Sequence, residues 1–283
     1  MNVKVLLAIV ALALANLACG VTIDLPEQSK VGPEIKDEIT VAAPKVEETR
    51  VSLEFGAGTL KLSTGANGLV EGTAVYNVSD LKPEVTVDGG DVTIKQGNFE
   101  NLPPFDGFKN EWTLMFGKTP MDLEIAAGAY DGTFELGGLA LRNLTVRDGA
   151  SDVELAFSQP NTEPMAQFNY STGASDVTMT GLANANFKTM VFNSGAGDYT
   201  LDFSGSLQRD ATVSIDTGLS SLLLIIPPNM NAVVTIDSAL ADINMPDGWS
   251  QNGKTYTQTG EGPTLTVLIN MGGGDIKVRS KGP

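Results

Sequence analysis

Apolar and polar residues alternate in short runs along most of this chain, and the runs come in pairs joined by a Gly-rich turn. From about Leu144 one phrase recurs: LTVRDGASDVEL, FNYSTGASDVTM, MVFNSGAGDYTL, VSIDTGLSSLLL, VTIDSALADINM and VLINMGGGDIKV. Each copy has an alternating run, a Gly (Ala239 in the fifth), two small or apolar residues, an Asp (Ser221 in the fourth) and a second alternating run. Pairs such as Leu144/Val146, Phe168/Tyr170 and Val213/Ile215 precede the turn, and Val153/Leu155, Tyr199/Leu201 and Leu222/Leu224 follow it. A period of two predicts strands with one face in a core and the other in water. Three earlier stretches, Val51–Leu62, Val85–Ile94 and Leu123–Leu136, bring the copies to nine.

The spacing is near constant. Asp152, Asp176, Asp198, Ser221 and Asp242 follow Asp131 at steps of 21, 24, 22, 23 and 21 residues. The last step, to Asp275, is 33, and its extra residues fall in the polar stretch Pro246–Gly262, read as a loop. A period of 20–50 residues marks a stacked-repeat fold. The pattern predicts an all-β protein, a single-stranded β-solenoid of about nine short repeats, in preference to a sandwich of hairpins. Successive coils are expected to lie on one another with equivalent residues in ladders. Residues 49–118, where the spacing is irregular, read as an N-terminal β subdomain or cap, and residues 119–283 as the repeat domain. Leu222–Ile226 reads as a fully buried strand. In Asn101–Gly117, Trp112, Phe105, Phe108 and Phe116 are read as aromatics capping the stack rather than as a carbohydrate platform.

The chemistry is bounded by what the chain lacks. It has 283 residues, no His and one Cys, which excludes Ser-His-Asp and Cys-His triads and His-ligated zinc. With 34 acidic against 18 basic side chains the net charge is −16, so a phosphate backbone is repelled and no nucleic-acid partner is expected. The turn residues Asp91, Asp131, Asp152, Asp176, Asp198, Asp242 and Asp275 allow two readings: carboxylates accepting N–H bonds in their own turns, or a ladder bridged by calcium. The first is favoured, because calcium β-rolls repeat every nine residues and this chain repeats about every 22. Arg50, Arg142, Arg147, Arg209 and Arg279 sit in no recognisable Asp/Arg constellation. No catalytic residue, metal ligand or cofactor is assigned. The rival class is a polysaccharide-active enzyme using Asp and Arg, and an exposed cleft holding two or three Asp with Arg or Lys would favour it.

The N-terminus reads as an address. Met1–Cys19 has Lys4, an apolar run and then Leu17-Ala18-Cys19-Gly20, which resembles the cleavage and lipidation box of bacterial lipoproteins, with Asn16 where that box prefers Leu. The resemblance implies acylation of Cys19, and at about 0.8 kcal/mol per buried CH₂ two or three acyl chains hold a protein on a membrane. On that resemblance residues 1–19 are read as a lipoprotein signal peptide. Residues 20–48, with Pro26, Pro33 and Pro44, read as a flexible tether.

The stretch LEIAAGAYDGTFELGGLALRNLTVRDGASDVEL, with Gly138-Leu139 between its strands, resembles the toast-rack domain of candidate bacterial adhesins and of envelope stress-response membrane proteins. The resemblance extends from about Val51 to Val278. It implies a β-solenoid and a role in surface adhesion or envelope sensing, with no catalytic residue to carry over. The expectation is a membrane-anchored, extracytoplasmic, non-catalytic binding module. Its partners are the membrane and a surface protein or polysaccharide.

Overall fold

The computed structural model describes residues 29–99 and 107–280. Within them, equivalent strands of the repeat run parallel, side by side. In β10 (Met165–Thr180), β11 (Phe187–Asp202) and β12 (Ala211–Ile225), Phe168 lies beside Met190 and Met190 beside Val213. After the turn, Asp176 lies beside Asp198 and Asp198 beside Ser221. Each is one long strand bent at a glycine, with a first arm before the bend and a second arm after it. Glycine suits the bend because neighbouring coils approach closely there. A Cβ on Gly195 would stand 2.6 Å from the carbonyl oxygen of Gly173, and one on Gly218 2.5 Å from that of Gly195.

Toward the N-terminus β10 lies on a split coil, β8 (Leu141–Arg147) with β9 (Ala150–Ala156). That coil lies on β7 (Met121–Glu135), and β7 on β2 (Arg50–Thr64). The alternating side chains of both arms fill one core that runs from Ile39 to Val278 without a break at residue 118. Rings meet across it: Phe157 of a second arm packs edge-on against Phe168 of a first arm at 6.2 Å, and Phe192 against Tyr199 at 5.1 Å. Each such pair contributes roughly 0.5–1.5 kcal/mol beyond its buried area. The connections between coils are pinned by side-chain amides. The buried Asn161 accepts from the Leu141 N–H and donates to the carbonyls of Leu141 and Glu163. The architecture is all-β and solenoid-like.

The stacking order is not the chain order. β16 (Glu261–Arg279) inserts between β12 and β13 (Met230–Asn244), so Asp275 has Ser221 on one side and Asp242 on the other. The reason lies in the segment expected to be a loop. β14 (Ser250–Asn252) and β15 (Thr255–Gln258) form a polar hairpin that pairs antiparallel with the first arm of β13. A polar hairpin has no place between two coils, so β13 is left outermost beneath it.

Three further expectations are corrected. Val85–Ile94 is not a coil: Gly89, at φ +58, and Gly90 turn the chain back, and β4 (Glu84–Asp88) pairs antiparallel with β5 (Asp91–Lys95). The irregular stretch after Asn101 contains β6 (Asn110–Phe116), parallel to the second arm of β2; outward from it lie β3 (Val70–Tyr76) and β1 (Ile35–Val41), both antiparallel. Ile35–Val41, expected within the tether, is therefore part of the sheet, with Ile39 and Val41 buried by their alternation. In Leu222–Ile226 only one face is buried, since Leu223 and Ile225 are half-exposed.

The caps define four arm-ends. β5 with β4 covers the first arm of β2, β6 with β3 and β1 covers its second arm, and β15 with β14 covers the first arm of β13. The second arm of β13, Asp237–Asn244, has no strand on its outer side among the described residues.

Candidate binding surfaces

The turn carboxylates form a column on the outer face. Asp131, Asp152, Asp176 and Asp198 stand in successive coils, followed by Ser221, Asp275 and Asp242, and all are exposed. Asp91 lies outside this column; it opens β5 and pairs with Arg50 (Nη1 to Oδ1, 3.0 Å). The Asp198 N–H donates to Asp176 Oδ1 at 3.4 Å, which is a bond between coils rather than within a turn. Burial, and then the charges of Asp131, Asp176 and Glu154, hold the Asp152 carboxyl above its ordinary value. Among the described residues no group of three or more His, Cys, Asp or Glu is placed to hold a metal ion.

A second, buried polar column flanks the glycine bends. Tyr130 and Tyr170 both donate to Asp148 Oδ2, at 3.1 and 2.7 Å. Ser151 Oγ donates to Ser175 Oγ at 3.0 Å and Ser194 Oγ to Thr217 Oγ1 at 2.8 Å, while Thr172 bonds Ser175 and Thr217 bonds Ser220. Burial above all raises the pKa of both tyrosines, so they remain protonated donors. The column is a structural hydrogen-bond network, in which Asp148 Oδ1 is left buried without a partner.

At the N-terminal end of the stack the fold assembles what the sequence did not reveal. A cleft of about 420 Å³ is lined by Thr49, Arg50, Asp91, Asp122, Arg142 and Asn143, with Glu48 and Gly90. Asp91, Arg50, Asp122 and Asn143 occupy one register position on β5, β2, β7 and β8. Asn143 Nδ2 donates to Asp122 Oδ1 at 2.9 Å. Arg142 owes its position to a bulge: Met121 pairs with Leu141 and Asp122 with Asn143, which leaves Arg142 as the extra residue. Its Nη2 donates to the carbonyls of Glu47 (2.7 Å) and Pro120 (3.2 Å). The expectation that no Arg joins an Asp constellation is thus corrected for Arg50 and Arg142, because strand pairing brings residues more than 90 positions apart to the wall of one cleft. The other long cations serve elsewhere; Arg147, for one, pairs with Glu124.

At the opposite end, the uncapped arm of β13 borders a hollow of about 540 Å³ beside Lys254 and Tyr256. Ile243 is 41% exposed, whereas its register partner Ile276 is 1% exposed; Leu240 is 83% exposed. Of the aromatics, Trp112 and Phe116 are in the core. Trp112 packs edge-on to Phe55 at 5.4 Å with its Nε1 donating to Asn110 Oδ1, so its face is not free to stack a sugar. Phe108 packs against the same core, and Phe105 and Cys19 lie outside the described residues. Among the described residues no helix is long and apolar enough to cross a membrane.

Residues 30–180 match the family model described as the N-terminal domain of toast_rack, DUF2154. Among solved structures, a candidate cell adhesion protein from Clostridium sporogenes is similar with a TM-score of 0.53 at 19% identity, over 88% of this chain and 100% of that one. At that identity the likeness is one of fold. A candidate lipid-binding protein from Parabacteroides distasonis gives 0.42 at 11% identity over 89% and 99%, and a candidate adhesin from Bacteroides fragilis 0.38 at 13% over 89% and 100%. No curated protein matches the chain.

Proposed function

The chain belongs to the toast-rack family, and from that premise we propose that it is a lipid-anchored surface module, without a catalytic centre, that binds a partner protein through the open arm of β13. Cys19 carries the anchor. One observation carries the reading: three of the four arm-ends are covered by a further strand, and Asp237–Asn244 has none among the described residues. An open strand edge presents a row of unpaired N–H and C=O groups, and proteins that do not use such an edge normally blunt it.

The occupant is an extended segment of the partner that adds a strand, as in β-augmentation. Its apolar residues would cover Ile243 and Leu240. A Lys or Arg would face Asp242, which continues the acidic column beside Asp275. The charge of −16 also favours a basic strand over a second copy of this chain. The assignment of the Clostridium sporogenes protein to cell adhesion agrees with a surface role. Adhesion and envelope sensing both run through this edge; they differ in whether the partner lies on another cell or in the same envelope.

The test is binding of envelope fragments to the immobilised full chain, using fragments with and without protease treatment. Saturable binding is expected, abolished by the protease and at least tenfold weaker for Ile243→Lys, whose melting temperature stays near wild type because the site is already exposed. Equal binding by Ile243→Lys, or binding that survives the protease, overturns the reading.

A further inference from the structure

We infer that the cleft between Thr49 and Arg142 is a carbohydrate-binding site that takes the hydroxyl groups of a neutral saccharide. It lies at the far end of the stack from the open arm and stands independently of that reading.

Two buried polar groups in its wall lack a partner. Thr49 is 3% exposed and its Oγ1 makes no hydrogen bond; Arg142 Nε is also buried and unbonded, although Nη2 of the same guanidinium is held by two carbonyls. Leaving such groups unsatisfied is costly, and native structures seldom keep two together without a use for them. The bulge that places Arg142 is the kind of irregularity that re-aims a side chain beside a site.

The wall chemistry selects the ligand class. Asp91, Asp122 and Glu48 repel an anion, and Arg50 and Arg142 repel a cation. The lining contains no apolar side chain, so a lipid tail gains nothing there. A sugar hydroxyl both donates and accepts. The wall offers both in alternation: Arg142 Nε as donor, the Asp122 and Asn143 oxygens as acceptors, and the Thr49 hydroxyl as either. The volume of about 420 Å³ is within the ordinary range of small-molecule sites. This cleft also meets the condition set for a polysaccharide-active enzyme, with two Asp beside two Arg. Its carboxylates, however, are already held, Asp91 by Arg50 and Asp122 by Asn143. Such pairing orients acceptors for recognition and leaves neither carboxylate facing a substrate alone.

Saturation-transfer NMR on the full chain, with maltotriose, cellotriose and chitotriose each in turn, tests the assignment, with polygalacturonate and inorganic phosphate as charged competitors. At least one neutral trisaccharide should bind saturably and be displaced by neither competitor. Thr49→Val keeps the volume and removes the unpaired hydroxyl, so it should bind about tenfold more weakly while melting no lower than wild type. Ile243→Lys should bind the sugar unchanged, which separates a failure here from a failure of the strand-docking reading. Three results overturn the site: no binding of any of the three sugars, undiminished binding by Thr49→Val, or displacement by phosphate or polygalacturonate. In each case the unpaired groups hold ordered water or an anion and no sugar.

Discussion

Replacing Asp152 with Asn removes the middle charge from the row Asp131–Asp152–Asp176, and the structure gives the size of the effect. Neighbouring strands lie about 4.8 Å apart, and at that distance two unit charges in a water-like dielectric repel by about 0.9 kcal/mol. Asp152 is exposed and has such a neighbour on each side, so the unscreened repulsion is roughly 2 kcal/mol. With Debye lengths of about 30 Å at 0.01 M, 8 Å at 0.15 M and 3 Å at 1 M salt, the repulsion falls to roughly 1.5, 1 and 0.3 kcal/mol. Asp152→Asn should therefore stabilise the protein by these amounts, measured by urea unfolding at the three ionic strengths. The pH dependence has a definite sign. The folded state holds the Asp152 proton more tightly than the unfolded chain does. The penalty is therefore absent below the ordinary value of 3.8 and fully present above the raised folded value. Wild type loses stability relative to Asp152→Asn as pH rises through that window. A variant that is less stable than wild type at low salt, or whose gain ignores salt, would refute the argument. A cation bridging the column would produce that outcome, with the difference abolished by a chelator.

Two other perturbations test the fold and the address. Gly195→Ala places a methyl 2.6 Å from the Gly173 carbonyl oxygen, an overpacking that costs about 1–3 kcal/mol and lowers Tm by several degrees, whereas Gly32→Ala, whose methyl meets nothing nearer than 3.6 Å, leaves Tm unchanged in calorimetry. Cys19→Ser should move the chain from the membrane to the soluble fraction and abolish incorporation of labelled fatty acid; a wild-type chain that takes up no label disproves the anchor.

How much of this was legible beforehand depended on how local the cause was. The glycine column and the carboxylate column could be read from the copies themselves, since each reflects a short phrase repeated at a fixed interval. The arm-caps could not. Val85–Ile94 has the alternation of a coil, yet Gly89-Gly90 makes it a hairpin, and Asn110–Phe116 pairs with a strand about 50 residues earlier. Trp112 sits on the capping strand β6 with its ring in the core, a placement set by strand pairing.

The amino-acid sequence alone settled that strands would form, which side chains would face inward and where the chain would bend, because alternation and the need for glycine are properties of a few adjacent residues. It also supplied an interchangeable set of coils, each able to offer its neighbour the same apolar ladder. For that reason it did not decide their order. The tertiary structure did, by sending the polar hairpin β14–β15 to the end of the stack, which drew β16 in beside β12 and left the second arm of β13 open. It likewise brought Thr49 and Arg142 into one cleft through a single bulged residue, a consequence of strand pairing that no local pattern records.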